Sequence, residues 1–239
     1  MNIIKTTLFS AAILLINVKC QAMSYTKSKL NQADFEKLAI YTRTFLQENL
    51  DYLEAQENES GFVRINIPIS SALKTEFEEI SKLRINYWSP DVNVQIQPES
   101  LHTHPQYFES YIVNGGYTHD IYEHGNMEDA AYDSYHIFKQ EDARSFEFFG
   151  ESRLRFLKRE SVEKGSIVLF NRDLIHKVVS SVPHALSLNV VFNGSDQKDV
   201  GFYDIHLTKN GTLNDIKTTR KLLTDEESKY IVKSIISIL

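Results

Sequence analysis

The chain has 239 residues, 42% of them hydrophobic and 24% charged, and a formal net charge of −6 at pH 7. That length suits one all-β domain with helical additions, or at most two small domains. The acidic balance and the lack of a basic run, low-complexity tract or fixed-period repeat argue against a nucleic-acid or anionic-membrane surface.

At the N-terminus Lys5 precedes an apolar run from Thr6 to Val18, and Cys20-Gln21-Ala22 offers small residues where a signal peptidase reads. The run is short for a membrane span. Residues 1–22 are therefore expected to be a cleaved export signal, which would make the protein secreted or periplasmic with no membrane attachment after cleavage. Lys19 interrupts the run just before the proposed cut, and the alternative is a start at Met23 with a cytoplasmic product. Cys20 is the only cysteine, so the body from Met23 onward has no disulfide, thiolate ligand or cysteine nucleophile.

From Asn31 to about Glu54, residues Phe35, Leu38, Ala39, Phe45, Leu46, Leu50 and Leu53 follow three-and-four spacing, which predicts an amphipathic helix. Gly61 opens the alternating segment FVRINIPIS. Ser70 or Ser71 then caps a predicted second helix with Leu73, Phe77, Ile80 and Leu83 on one face. From Arg84 to Phe192 the pattern changes to short alternating runs. Strands are predicted at 84–88, 92–97, 100–104, 108–113, 117–123, 133–140, 144–149, 153–159, 166–170, 174–179 and 186–192. Turn signals at Ser89-Pro90-Asp91, Asn114-Gly115-Gly116, His124-Gly125-Asn126, Gly150, Lys164-Gly165 and Asn193-Gly194 separate them. So many strands without intervening helices predict a closed barrel or double-sheet jelly roll. Thr224 to Glu227 forms a capping box before an apolar stripe of Ile231, Val232, Ile235, Ile236 and Leu239. The expected organisation is thus 1–22 signal, 23–83 helical extension packed on the barrel, 84–200 barrel, and 201–239 a terminal strand and helix.

The chemistry concentrates at His102 and His104. Alternate side chains of a strand share a face, so His-x-His aims two imidazoles at one point. Glu109 on the following strand and His176 from a distant one would complete a nitrogen/oxygen metal site. Imidazole with carboxylate suits Fe(II), Mn(II), Ni(II) or Zn(II), and the set alone does not choose. A purely structural use of these residues, with Glu109 orienting a histidine from behind, is the plain alternative. His119 and His124 lie on or near the next strand and either approach the barrel mouth or sit at the surface. Tyr107, Phe108, Tyr111 and Tyr117 crowd the histidine segment as packing residues, and Tyr111 shares strand parity with Glu109, where it would line the cavity. Trp88 is expected in the core and His184, beside Pro183, in a turn.

The spacing His102-Thr-His104-Pro-Gln-Tyr-Phe-Glu109, six residues, Gly116 resembles the first motif of the cupin superfamily. Gly165-SIVLF-Asn171-Arg-Asp173-Leu-Ile-His176 resembles the second, with Asn171 and Asp173 in place of the usual Pro and Gly. The resemblance spans Arg84 to Phe192. It implies a mainly β fold, a cupin double-stranded β-helix with flanking helices, holding a divalent metal on residues matching His102, His104, Glu109 and His176. Within the superfamily the best resemblance is to thiol dioxygenases of the cysteine dioxygenase kind, through the helical N-terminal portion and the segment Ala185-Leu186-Ser187-Leu188. It implies Fe(II), favoured here, with Arg84 as a candidate for the arginine that binds the substrate carboxylate; otherwise Arg84 is a solvated charge at a helix-to-strand junction. The positions of that family's catalytic His and Tyr fall on Asn189 and Val191, a departure. The expected function is a mononuclear Fe(II) dioxygenase on a small polar molecule, with a homodimer possible. The alternatives are a Mn, Zn or Ni cupin acting as decarboxylase, isomerase or lyase, or a non-catalytic ligand-binding barrel.

Overall fold

A computed structural model describes residues 27–57, 61–90, 101–104, 106–140, 143–193, 204–208 and 221–239. Among these, two antiparallel layers carry most of the chain. A seven-stranded sheet runs in the order β13 (Lys221–Leu222), β1 (Gln56–Glu57), β2 (Val63–Ile67), β3 (Ile80–Trp88), β11 (Ala185–Phe192), β5 (Phe108–Asn114) and β9 (Ile167–Phe170). The other six strands, β10 (Ile175–Ser181), β4 (Leu101–His102), β12 (Asp204–Thr208), β7 (Ala130–Gln140), β8 (Ala143–Glu163) and β6 (Gly116–His124), close on themselves. This is the mainly β, curled jelly-roll architecture that the strand-rich middle of the sequence predicts, with helices at both flanks.

The seven-stranded sheet buries its helix-side face, while the other face is buried along β11 but exposed at Asn66 of β2 and Lys82 of β3, and the alternation sorts two sets of residues. Val63, Ile65, Leu83, Ile85, Tyr87, Leu186, Leu188 and Val190 pack with Phe35, Leu38 and Leu46 of α1 (Gln32–Glu48) and Ile231, Val232 and Ile235 of α3 (Asp225–Ile238). The opposite face contributes Phe62, Trp88, Ile112, Phe170 and Ala185, which meet Tyr117, Ile121 and Val162 from the closed strands. The helices therefore cover one face, and the space between the two strand layers lies on the other.

Local chemistry explains most helix limits. Asn31 and Asp34 form a reciprocal capping box that starts α1, and Thr224 with Glu227 does the same for α3. α1 ends at Asn49 rather than reaching Glu54, because the Asn49 side-chain amide donates to the Phe45 carbonyl at 2.9 Å and closes the last turn. The predicted second helix is shorter than its apolar spacing suggested. Ser70 caps α2 (Ser71–Glu76), but Ile80 and Leu83 belong to β3, where strand pairing on both sides outweighs helical periodicity. β2 pairs along β3 from Val63↔Tyr87 to Ile67↔Leu83, so residues on both sides of position 84 build one sheet. The expected strands 144–149 and 153–159 are one long β8, with Gly150 absorbed where the β7–β8 register shifts, at φ 131°. The expected strand 92–97 and the proposed signal 1–22 lie outside the described residues.

Candidate metal centre

His102 and His176 are direct cross-strand partners of β4 and β10. Directly opposed residues share a face, so the two rings stand side by side with centroids 4.6 Å apart. His104 follows just beyond β4 and returns to the same point, with centroids 4.7 Å from His102 and 5.1 Å from His176. One nitrogen from each of the three rings lies within 4.8 Å of the others, and the Nε2 atoms of His104 and His176 are 2.9 Å apart.

Phe108 and Phe170 support this cluster. They stack on each other at 4.5 Å and meet His104 edge-on at 4.7 and 5.4 Å. Phe170 also lies 4.9 Å from the His176 ring. The histidines thus sit against an aromatic wall, with His102 and His176 buried and His104 half-buried. Burial, reinforced by the neighbouring imidazoles of His102, His104 and His119, pushes the His176 pKa well below its ordinary 6.5. His176 is therefore the neutral imidazole that a cation requires as ligand.

The residues suit a divalent cation. Metal–nitrogen bonds of about 2.0–2.1 Å place neighbouring ligand nitrogens roughly 3 Å apart, close to the separation of the two facing Nε2 atoms. Among the described residues His176 Nδ1 is buried without a hydrogen-bond partner. Three neutral imidazoles without thiolate fit Fe(II), Mn(II), Ni(II) or Zn(II) and leave positions for a substrate.

Glu109, expected as the fourth ligand, is a correction. Its carboxylate is fully buried, but it accepts hydrogen bonds from Ser28 Oγ (2.7 Å), the backbone N–H groups of Lys29 (2.6 Å) and Leu30 (3.3 Å), and Tyr107 Oη (2.6 Å). The pleat of β5 is the cause. It turns Phe108 and Ile112 toward the space between the layers, and Glu109 toward the helices with Tyr111 and Val113. Tyr111, expected to line the cavity, shares that parity. It stacks on Phe35 of α1 at 5.1 Å and belongs to the helix-side core.

Arg84 lies in mid-β3, paired to Asn66 and Asn189, on the face away from the helices; it is not at a helix-to-strand junction. His119 is more deeply placed than its sequence context indicated. It is 1% exposed on β6, 5.7 Å from the His176 ring, and its Nε2 lies 3.5 Å from a carboxylate oxygen of Glu160. The available signal was its position on β6 beside β10, where Val178↔His119 follows His176↔Ile121. His124 is exposed. His184 occupies a turn with φ 60°, its Nδ1 2.6 Å from Tyr87 Oη, and Trp88 packs between Phe62 and Tyr117.

No family model matches the chain, and no curated protein does. Solved structures found to be similar include oxalate decarboxylase from Bacillus subtilis in two single-substitution forms. Each is 14% identical, with TM-scores of 0.30 and 0.31, covering 62% and 63% of this chain. The chain spans about 29–30% of the length of those proteins. The curled antiparallel strands and the three-histidine cluster of this chain fit a cupin.

Proposed function

We propose that the chain is a metal-dependent cupin enzyme, and that its reaction is the Fe(II)-dependent oxidation of a small thiol acid. The observation that carries this reading is the diversion of Glu109 into the helix-side core, which leaves three neutral imidazoles as the protein ligands. Such a set leaves the charge of a divalent cation uncompensated and so favours an anionic substrate group, such as a thiolate, over a neutral one. A carboxylate ligand would have weakened that preference.

A bound ferrous ion supplies the redox chemistry that joins dioxygen to sulfur. The chain's own residues do the rest. His102, His104 and His176 would hold the ion, and the Phe108–Phe170 pair excludes water beside them. Arg84 is the candidate fork for the substrate carboxylate, fixing the thiol end by holding the other. Asn189, its direct partner on β11, donates through its amide to Ser187 Oγ at 3.1 Å and faces the same space. Neither Asn189 nor Val191 carries a group that transfers protons, so catalysis rests on orientation and exclusion of water rather than on a His–Tyr pair.

Metal analysis of untagged protein purified without chelators, followed by oxygen uptake with cysteine, 3-mercaptopropionate and cysteamine, tests the reading. Iron in the protein and uptake with at least one thiol acid is the expected outcome. Iron with no thiol-dependent uptake, or manganese or zinc as the resident metal, rejects the oxygenase and leaves the decarboxylase, isomerase or lyase class on the same scaffold. We also propose export directed by residues 1–22; among the described residues no helix is long and apolar enough to cross a membrane.

A further inference from the structure

A fourth imidazole stands beside the three-histidine cluster. Across β10 and β6, His176 pairs with Ile121 and Val178 with His119, so His119 is the diagonal neighbour of His176 on the same face of that strand pair. Aromatic side chains at diagonal positions reach one another. Here the two imidazoles meet edge-on, with centroids 5.7 Å apart and planes at 77°. His119 is buried, and other groups enclose it. Tyr117 meets it edge-on at 5.7 Å and Phe170 lies 6.3 Å away. Glu160, directly opposite on β8, brings Oε2 to 3.5 Å from His119 Nε2, and Lys158 Nζ holds the same oxygen at 3.0 Å.

A histidine ligand binds a cation well only when its ring plane is fixed, and the usual device is a hydrogen bond from the nitrogen that does not coordinate. His176 Nδ1 has no such partner among the described residues. Packing must therefore fix the ring. Beyond the other two histidines of the cluster, the rings recorded against His176 are Phe170 at 4.9 Å and His119. Two rings inclined at 51° and 77° leave a planar side chain few orientations free of a clash. Phe170 comes from the seven-stranded sheet and His119 from the closed strands, so both layers grip the ring. Glu160 in turn fixes the polar end of His119.

We infer that His119 is a positioning residue of the metal centre, a buried ring tied to Glu160 whose edge-on contact sets the plane of the His176 imidazole and so the affinity for the cation. This role rests on the metal-dependent reading and deepens it. It adds a residue that lies outside the three ligands and between the two sequence motifs that mark them. No proton transfer is assigned to it.

Cobalt(II), a visibly absorbing stand-in for the divalent ion, is titrated into the full chain under nitrogen at fixed pH against a chromophoric chelator. Affinity and the absorption of the bound ion are then read without any turnover. His119→Ala is expected to weaken cobalt about tenfold or more and to shift its visible absorption, because a loosened ligand changes the field at the ion. His119→Leu keeps bulk without a planar ring and is expected to do the same. His119→Phe restores a ring and is expected to recover most of the affinity and the native spectrum. Ile112→Ala opens a cavity in the core between the layers, four residues along β5 from Phe108, and is expected to change neither. Circular dichroism establishes that each variant is folded, and His119→Leu carries the test should His119→Ala not fold. Unchanged affinity and spectrum in folded His119→Leu, an equal loss in Ile112→Ala, or no recovery in His119→Phe overturns the inference. A native chain that takes up no cobalt rejects the metal centre itself, and the inference with it. The expected pattern in a protein inert toward thiols upholds His119 and rejects only the thiol reaction.

Discussion

Among single residues, four side chains of the histidine constellation divide into two roles that the sequence pattern had merged. His102, His104 and His176 converge, while Glu109 anchors the chain just before α1. Replacing His104 with Ala is expected to remove stoichiometric metal while leaving the far-ultraviolet circular dichroism intact, since His104 lies on a loop and is half-buried. Glu109→Ala is expected to do the opposite. It keeps one equivalent of metal but loses about 2–4 kcal/mol of stability in urea unfolding, because Ser28, two backbone N–H groups and Tyr107 lose a buried acceptor. Metal loss on Glu109→Ala would return the carboxylate to the ligand set. The lowered pKa of His176 adds a pH dependence to the metal-free protein. The unfolded imidazole binds a proton near pH 6.5 and the folded one only well below it, so the unfolded state holds more protons between those values. Stability from this group is complete above about pH 6.5 and falls as the pH drops from there toward the lowered value. Urea midpoints at pH 7.5 and 5.5 measure this, and His176→Gln is expected to flatten the difference; an unchanged slope in that variant would assign the acid sensitivity elsewhere.

Among the helices and strands, the elements that rest on local chemistry were legible. The capping box expected at Thr224 forms with Glu227, whereas the reciprocal pair of Asn31 and Asp34 that starts α1 departs from the usual Ser/Thr and Glu/Gln pattern and was not anticipated. β5, β6, β9, β10 and β11 fall close to their alternating runs. What was not legible is which way a strand faces. The spacing from His104 to Glu109 fits a known motif, yet β5 begins at Phe108, and a one-residue difference in pleat sends a side chain to the opposite face. Ile80 and Leu83 misled for a related reason, since three-residue spacing also occurs where a helix hands over to a strand. The glycine of the same motif has a clear structural task. A Cβ at Gly116 would lie 2.1 Å from the Val162 carbonyl oxygen across the β6–β8 pair. That contact is with backbone and cannot be relieved by a rotamer change. Gly116→Ala is therefore expected to cost more than about 2 kcal/mol, read as a lower thermal midpoint, whereas Gly165→Ala meets no atom within 4 Å and loses mainly through its φ of 86°.

Across the molecule, the two faces of the seven-stranded sheet explain why a β-rich chain of this length needs its helices. α1 and α3 cover the apolar face, and the opposite face is thereby left to carry arginines, asparagines and serines beside three histidines. None of this could be seen before pairing was known, because Arg64, Arg84 and Asn189 come from three separate stretches of sequence that only the register aligns. The proposed enzymatic activity depends on His102, His104 and His176 holding one divalent cation. The decisive measurement is metal content by plasma mass spectrometry of untagged protein purified without chelators, compared with His104→Ala and His176→Ala. One equivalent in the native chain and less than about a tenth of that in either variant is the predicted result, since losing one of three ligands removes most of the affinity. Equal metal in all three folded proteins, or none in the native chain even after dialysis against ferrous, manganous and zinc salts, would contradict it.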